Sequence, residues 1–102
     1  MEQGKATSVT LINVFEVPVG TENTFVEWWE KSSDLLAKEP GFIDARLHRS
    51  LRPGSPFQFI NIAHWETAAA LDQARSRHAA ALQSLSAGKG HPALYEVVSH
   101  YE

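Results

Sequence analysis

The chain contains no cysteine. This absence excludes disulfides, thiolate nucleophiles and cysteine-ligated zinc or iron–sulfur centres together. Positive charge is also scarce and scattered, since nine lysines and arginines stand against twelve acidic residues for a net charge of −3. A nucleic-acid-binding domain normally presents a basic face, so we do not expect nucleic acid as a partner.

Long apolar runs are missing as well. No stretch approaches the roughly 18 apolar residues of a membrane span, and the N-terminal MEQGKATS lacks the apolar segment of a signal peptide. We therefore expect no membrane contact and, by default, a soluble cytoplasmic protein. The composition, 43% hydrophobic and 21% charged over 102 residues, predicts a single globular domain spanning residues 1–102.

What the sequence does contain is an alternation of strand and helix patterns. Four segments are rich in β-branched or alternating apolar residues and predict strands: 8–17, 41–50, 57–66 and 93–102. Two segments with apolar residues three and four apart predict helices: from Thr21, a plausible N-cap, to Pro40, and from Ala68 to Leu85. The turn sequence RPGS predicts an antiparallel hairpin between the second and third strands.

The resulting order, βαββαβ, is that of the ferredoxin-like α+β fold. Because crossover connections are nearly always right-handed, both helices are expected on one face of a four-stranded antiparallel sheet. The first strand nevertheless carries apolar residues on both faces, with Leu11 and Phe15 on one and Ile12 and Val14 on the other. A solvated face would be mostly polar, so we expect the second face to be buried against another copy of the chain in a homodimer.

Two asparagines interrupt the apolar strands. The alternation of side chains along the third strand puts Asn61 on the same face as Trp65, and Asn13 interrupts the first strand in a similar way. A buried amide is either hydrogen-bonded within the core or offers its donors and acceptor to a ligand. The sequence alone leaves both alternatives open.

The predicted helices add further candidates. The apolar stripe of the second helix includes Leu71, Ala74 and His78, which turns the imidazole toward the sheet as a proton acceptor or as a hydrogen-bonded histidine of the core rim. Trp28 and Trp29 differ by about 100° around the first helix, so one is expected in the core and the other at a cavity mouth or helix contact. The other histidines lack the spacing of a metal site, and no phosphate-binding loop is present, so we expect neither a metal nor a nucleotide cofactor.

Over roughly residues 8–98 the chain resembles the antibiotic biosynthesis monooxygenase family of the dimeric α+β barrel superfamily. The resemblance rests on the element order, on NVFEV in the first strand, on PGF at 40–42 followed by ARLHRS, and on NIAHWET at the end of the third strand. Members that oxidise phenolic polyketides are similar to this chain at Asn61 and Trp65, where the amide and the indole line a pocket between the sheet and the helices. Those members can carry an aromatic hydroxyl where this chain has Leu71.

The resemblance implies an enzyme, a cofactor-independent monooxygenase that uses molecular oxygen on a small electron-rich aromatic substrate, such as a phenol or a polyketide. The residues that we single out for this function are catalytic Asn61, Trp65 and His78, and substrate-binding Asn13, Trp28 and Leu71. No flavin, haem or metal is expected in it. Two alternatives stay open: a haem-degrading monooxygenase with His78 as iron ligand beside Asn13 and Trp65, and a non-catalytic dimeric domain that binds a small molecule.

Overall fold

The computed structural model of the protein describes residues 8–84 and 88–102. Within them the elements follow the order β1 (Val9–Glu16), α1 (Glu22–Leu36), β2 (Phe42–Arg49), β3 (Phe59–Trp65), α2 (Ala68–Arg77), α3 (Ala79–Ser84) and β4 (Lys89–Tyr95). The strands form one antiparallel sheet in the order β2-β3-β1-β4, with the helices on one of its faces. The ferredoxin-like α+β architecture predicted from the element order is confirmed.

The first helix begins where the sequence predicts, after Thr21, but it ends at Leu36, four residues before the predicted end at Pro40. Thr21 is the N-cap of α1, but its side chain makes no capping bond to the helix. Its hydroxyl instead donates to the carbonyl oxygen of Pro18 at 2.7 Å and so closes the turn that precedes the helix. No helix in the described part of the chain has both the length and the apolar character that a bilayer crossing requires.

Gly41 allows the second helix to pack against the start of β2. Its φ angle is +91°, in the region where residues with a side chain are strained, and a Cβ placed there would lie 2.5 Å from the Cβ of Ala70. Its carbonyl oxygen accepts a hydrogen bond from the backbone of Glu66 at 2.7 Å. Pro40 and Gly41 therefore lie in the turn that connects α1 to β2, and Gly41 sets how closely α2 approaches the sheet.

The predicted second helix is in fact two helices. α2 ends at Arg77 and α3 begins at Ala79, and His78 between them has φ −111° and ψ 16°, outside the α-helical range. The expectation of one continuous helix is therefore wrong at His78, while its predicted end at Leu85 falls outside the described residues. Because the helical period is broken there, it does not determine where the imidazole points.

The predicted bounds of the fourth strand are also wrong. The sequence favours a loop through Pro92 and a strand over 93–102, whereas β4 spans Lys89–Tyr95 and the residues after it have no regular structure. Gly90 and Pro92 are typical of turns, which explains the error. β4 is an edge strand that pairs with β1 alone, and an edge strand tolerates proline because one side of its backbone needs no partner.

Two clusters of buried side chains fill the space between the sheet and the helices. One contains residues of β1, α1 and β3 and the residue just after β1: Phe15, Val17, Phe25 and Phe59. The other contains residues of β1, β3 and α2: Leu11, Ala63, Trp65, Leu71 and Ala74. On the opposite face of the sheet, Ile12 pairs with Ile62 and Val14 with Ile60 across β1 and β3, and all four are only partly buried.

Candidate functional site

A cavity of ≈ 150 Å³ lies between the covered face of the sheet and the helices, bordered by members of both core clusters. Small side chains leave this space open. Ala45 and Ala63 face each other across β2 and β3, and Ser32 and Ser33 of α1 also line the cavity. Larger residues at these positions would fill the volume, so the cavity follows directly from the sequence of the elements around it.

Asn13 and Asn61 form a pair on the sheet wall of the cavity. They are direct partners in the register of β1 and β3, and both line the cavity. The expectation that Asn61 and Trp65 face the space between sheet and helices therefore agrees with the structure. The side-chain oxygen of each asparagine is buried and accepts no hydrogen bond from any described residue.

Ser32 contributes a third unpaired oxygen. Its side chain is 5% exposed, and its hydroxyl oxygen is buried without a partner among the described residues. A buried polar atom without a partner costs about 1–3 kcal/mol. Three such oxygens belong to residues that line one cavity, which makes this part of the core a candidate site for a polar ligand or for ordered water.

Gly90 leaves space for the side chains of Asn13 and Phe15, which line the cavity from the sheet. A Cβ at that position would lie 2.8 Å from the side-chain oxygen of Asn13 and 2.9 Å from the ring of Phe15. Because Gly90 is the register partner of Phe15 in β4, any larger residue there would push both side chains into the cavity or away from it. Gly90, which in the sequence suggests a loop, therefore allows Asn13 and Phe15 to keep their positions in the cavity wall.

Aromatic side chains form the apolar walls. Trp65 is 1% exposed and packs edge to face on Phe42, with ring centroids 5.3 Å apart and an interplanar angle of 87°. Trp28 lines the cavity from α1, and its indole N–H donates to the carbonyl oxygen of Leu82 at 3.2 Å. Leu71, 1% exposed, closes the side beneath α2. Trp29 also lines the cavity, so both tryptophans of the pair contact it rather than one.

His78 is not among the residues that line the cavity. Its Nε2 donates to a carboxylate oxygen of Glu39 at 2.9 Å, and Arg77 bonds to the other oxygen of the same carboxylate. The hydrogen bond from His78 lowers the pKa of the Glu39 carboxyl; burial opposes this shift and Arg77 adds to it. His78 therefore connects the α2–α3 junction to the segment between α1 and β2, and the structure does not bring it together with Asn61 and Trp65.

The sequence interpretation missed Ser32 and Arg75. Ser32 lies at helical spacing from Trp28 and Trp29 in α1, and a serine there gives no sign in the sequence that its hydroxyl lacks a partner. Arg75 lines the cavity from α2, one helical turn after Leu71. The spacing of four residues between Leu71 and Arg75 was the available signal, because residues four apart share a helix face.

Residues 8–83 match the family model of the antibiotic biosynthesis monooxygenases. A candidate monooxygenase from Shewanella loihica PV-4 has 37% sequence identity and a TM-score of 0.85, and the match covers 92% of this chain and 97% of that one. SnoaB, a cofactor-independent oxygenase from Streptomyces nogalater, has 25% identity and a TM-score of 0.73 over 93% of this chain and 97% of its own.

A variant of MhuD with two manganese protoporphyrin IX molecules bound per active site shares the fold, at 23% identity and a TM-score of 0.72, over 92% of this chain and 98% of its own. No curated protein has a significantly similar sequence. The family model covers most of the chain, and the Shewanella protein is related over nearly its whole length. The chain therefore belongs to the antibiotic biosynthesis monooxygenase family.

Proposed function

We propose that the protein is a cofactor-independent monooxygenase that uses molecular oxygen on a small electron-rich phenol. The observation that carries this proposal is an apolar cavity lined by residues with three buried, unpaired oxygens. A phenolic hydroxyl that enters the cavity would donate to an amide oxygen and offset the cost of leaving it unpaired. The cavity volume of ≈ 150 Å³ suits one aromatic ring, since an engineered protein cavity of about this volume, roughly 150 Å³, binds benzene.

Oxygenation of a phenol to a quinone needs no external reductant. With resorcinol as substrate, one atom of dioxygen becomes the new carbonyl oxygen of hydroxyquinone and the other leaves as water. The carbon–hydrogen bond at the reacting position and the O–H bond of the one hydroxyl that becomes a carbonyl break, the second hydroxyl is kept, and the ring supplies all the electrons that dioxygen accepts. The protein has to bind the ring, favour its anion and admit oxygen.

The asparagines suit the change of charge on the substrate. A side-chain amide offers an acceptor to a neutral hydroxyl and N–H donors to the phenolate that follows. We assign the oxygen-binding role to Asn61, supported by Asn13 beside it and by the hydroxyl of Ser32 from the helix side. Hydrogen bonds to a charged oxygen inside an apolar cavity stabilise the anion more than they would in water.

The remaining cavity residues orient the ring. Trp65 provides a flat wall whose position Phe42 fixes, and Trp28 and Leu71 enclose the ring from the helices. The proposal gives His78 no direct part in proton transfer, because its Nε2 is bonded to Glu39 and the side chain is not on the lining. The phenolic proton instead passes to a water molecule that reaches the ring, since the described lining offers no side-chain base.

The described lining does not fit haem. It contains no imidazole to bind an iron axially. The three residues proposed for haem degradation do not lie together, because Asn13 and Trp65 line the cavity whereas His78 bonds to Glu39. The cavity also matches one ring, whereas haem is a macrocycle several times larger. A haem titration checks this conclusion. We expect the wild-type protein and His78→Ala to give the same Soret band, because His78 does not bind the iron.

The open face of the sheet supports the proposal of a homodimer. Ile12, Val14, Ile60 and Ile62 form two adjacent cross-strand pairs there. The segment after β4 adds exposed apolar side chains, with Val98 87% and Tyr101 97% exposed. A second copy packed face to face would cover these groups, with an expected interface of about 1,200 Å² or more.

Sedimentation tests the dimer. We expect the wild-type protein to be a dimer at micromolar concentration and Ile62→Lys to be a folded monomer. Leu51→Lys is the matched control, because Leu51 is 99% exposed in the turn before β3 and lies outside the proposed interface. A monomeric wild-type protein would contradict the proposal.

Oxygen uptake tests the proposed activity. Protein treated with a chelator and shown to be free of flavin and haem is mixed with single-ring phenols that contain resorcinol units. We expect one dioxygen to be consumed for each quinone formed, without hydrogen peroxide. Uptake that requires an added flavin, haem or metal would overturn the cofactor-independent mechanism.

A further inference from the structure

Arg75 is the one charged side chain among the described residues that line the cavity. The other polar groups of the lining are neutral amides, hydroxyls and indoles, and no carboxylate is present in it. A guanidinium at the edge of an otherwise apolar cavity offers five N–H donors in a fixed plane, a geometry that matches a carboxylate.

The guanidinium of Arg75 is free to bind a ligand. The structure pairs it with no carboxylate and no hydrogen-bond acceptor among the described residues. Glu39, in the segment between α1 and β2, is already bonded to Arg77 and His78. A cation in the last turn also stabilises the helix dipole of α2, but Arg77 is in that turn as well, so the dipole does not explain why Arg75 lines the cavity.

The position of Arg75 places it opposite the buried polar wall. It follows Leu71 by one helical turn, and unlike the buried Leu71 it is exposed, so it lies at the mouth of the cavity. Asn61 and Asn13 form the sheet side. A ring inside the cavity, with its hydroxyl at the asparagines, would therefore direct a substituent on its outer edge toward the guanidinium.

We infer that the substrate is a single-ring phenol bearing an anionic group, such as a carboxylate, and that Arg75 binds this group at the cavity mouth. The inference rests on the proposed function, because it assumes that the cavity holds the ring. Arg75 would then select the substrate and fix the ring's orientation. A local cation at the cavity mouth would also offset the weak repulsion that a net charge of −3 exerts on an anionic substrate.

Anaerobic binding measurements test the inference without requiring turnover. The probes are α-resorcylate, a benzoate with both hydroxyls meta to the carboxylate, and α-resorcylamide, its neutral analogue of the same shape. Trp28, Trp29 and Trp65 all line the cavity, so ligand binding should change the tryptophan fluorescence. We expect the wild-type protein to bind the carboxylate about fivefold or more tightly than the amide, with a preference that weakens as salt is added.

Three variants test whether the preference for the carboxylate over the amide depends on Arg75. Arg75→Gln should bind both probes with the affinity that the wild-type protein has for the amide, and Arg75→Lys should keep part of the preference because it keeps the charge. Arg52→Gln, which removes an exposed cation that does not line the cavity, should behave as the wild-type protein. Equal binding of the two probes by the wild-type protein, failure of both to bind, or a preference that survives in Arg75→Gln would overturn the inference.

The two proposals fail in distinguishable ways. Arg75-dependent binding of α-resorcylate without any oxygen uptake would contradict the proposed activity and leave anion recognition standing. Uptake with resorcinol, together with no preference for the carboxylate, would contradict anion recognition and leave the activity standing.

Discussion

Replacing Asn61 should separate stability from function. Its side-chain oxygen is buried without a partner, so Asn61→Leu removes an unfavourable group and fills part of the cavity. The free energy of unfolding should rise by about 1–3 kcal/mol. For a domain of this size each kcal/mol raises the melting temperature by about 4–8 °C. Asn61→Ala, which leaves room for the substrate, should reduce turnover about tenfold or more, since a hydrogen bond to a charged oxygen contributes about 1.5–3 kcal/mol.

Urea and thermal unfolding measure the first effect, and oxygen uptake on a confirmed substrate measures the second. Asn23→Leu is the control, because that asparagine is exposed at the start of α1 and its replacement should change stability by less than about 0.5 kcal/mol. Loss of stability in Asn61→Leu would show that the amide is hydrogen-bonded in the folded protein. A folded Asn61→Ala variant with unchanged kinetics would refute its catalytic role.

Three further predictions concern the walls and supports of the site. Trp65→Phe should raise KM several-fold with little change in kcat, measured by steady-state oxygen uptake, and a fall in kcat alone would contradict a binding role. Gly41→Ala should destabilise the protein more than Gly54→Ala in urea unfolding, because both have positive φ but only Gly41 would also place a Cβ against Ala70; equal losses would contradict this packing. The lowered pKa of Glu39 means that its ionised form stabilises the fold at neutral pH. That contribution should be lost as the pH falls from about 4.3, the ordinary glutamate value, through the lowered pKa, so wild-type stability should fall more steeply in acid than that of Glu39→Gln.

The sheet wall of the site could be predicted from the sequence because side chains alternate strictly along a strand. Once Trp65 is on the covered face, Asn61 must be there too, and the register of β1 with β3 adds Asn13. The two-sided apolar pattern of β1 was equally informative, since it indicated a second apolar face, opposite the face on which the described helices pack. The homodimer that this face suggests stays a prediction.

The helix side was less predictable because helical periodicity holds only while the helix continues. The helix breaks at His78, whose imidazole bonds to Glu39, a residue distant in the sequence, and does not line the cavity. For Ser32 and Arg75, the residue type alone does not indicate whether a hydroxyl or guanidinium finds a partner. The prediction of the β4 bounds was wrong for a related reason. Gly90 lies in a strand, where a Cβ would clash with the side chain of Asn13, and not in a turn.

The central claim is that the phenolic oxygen of a substrate binds at the Asn61 amide inside the cavity. A crystal structure of the protein with resorcinol, prepared without oxygen, tests it most directly. We predict the ring against Trp65 and one hydroxyl oxygen within about 2.5–3.2 Å of the Asn61 side chain. A ring bound outside the cavity, or inside it with both hydroxyls turned away from Asn61, would contradict the account.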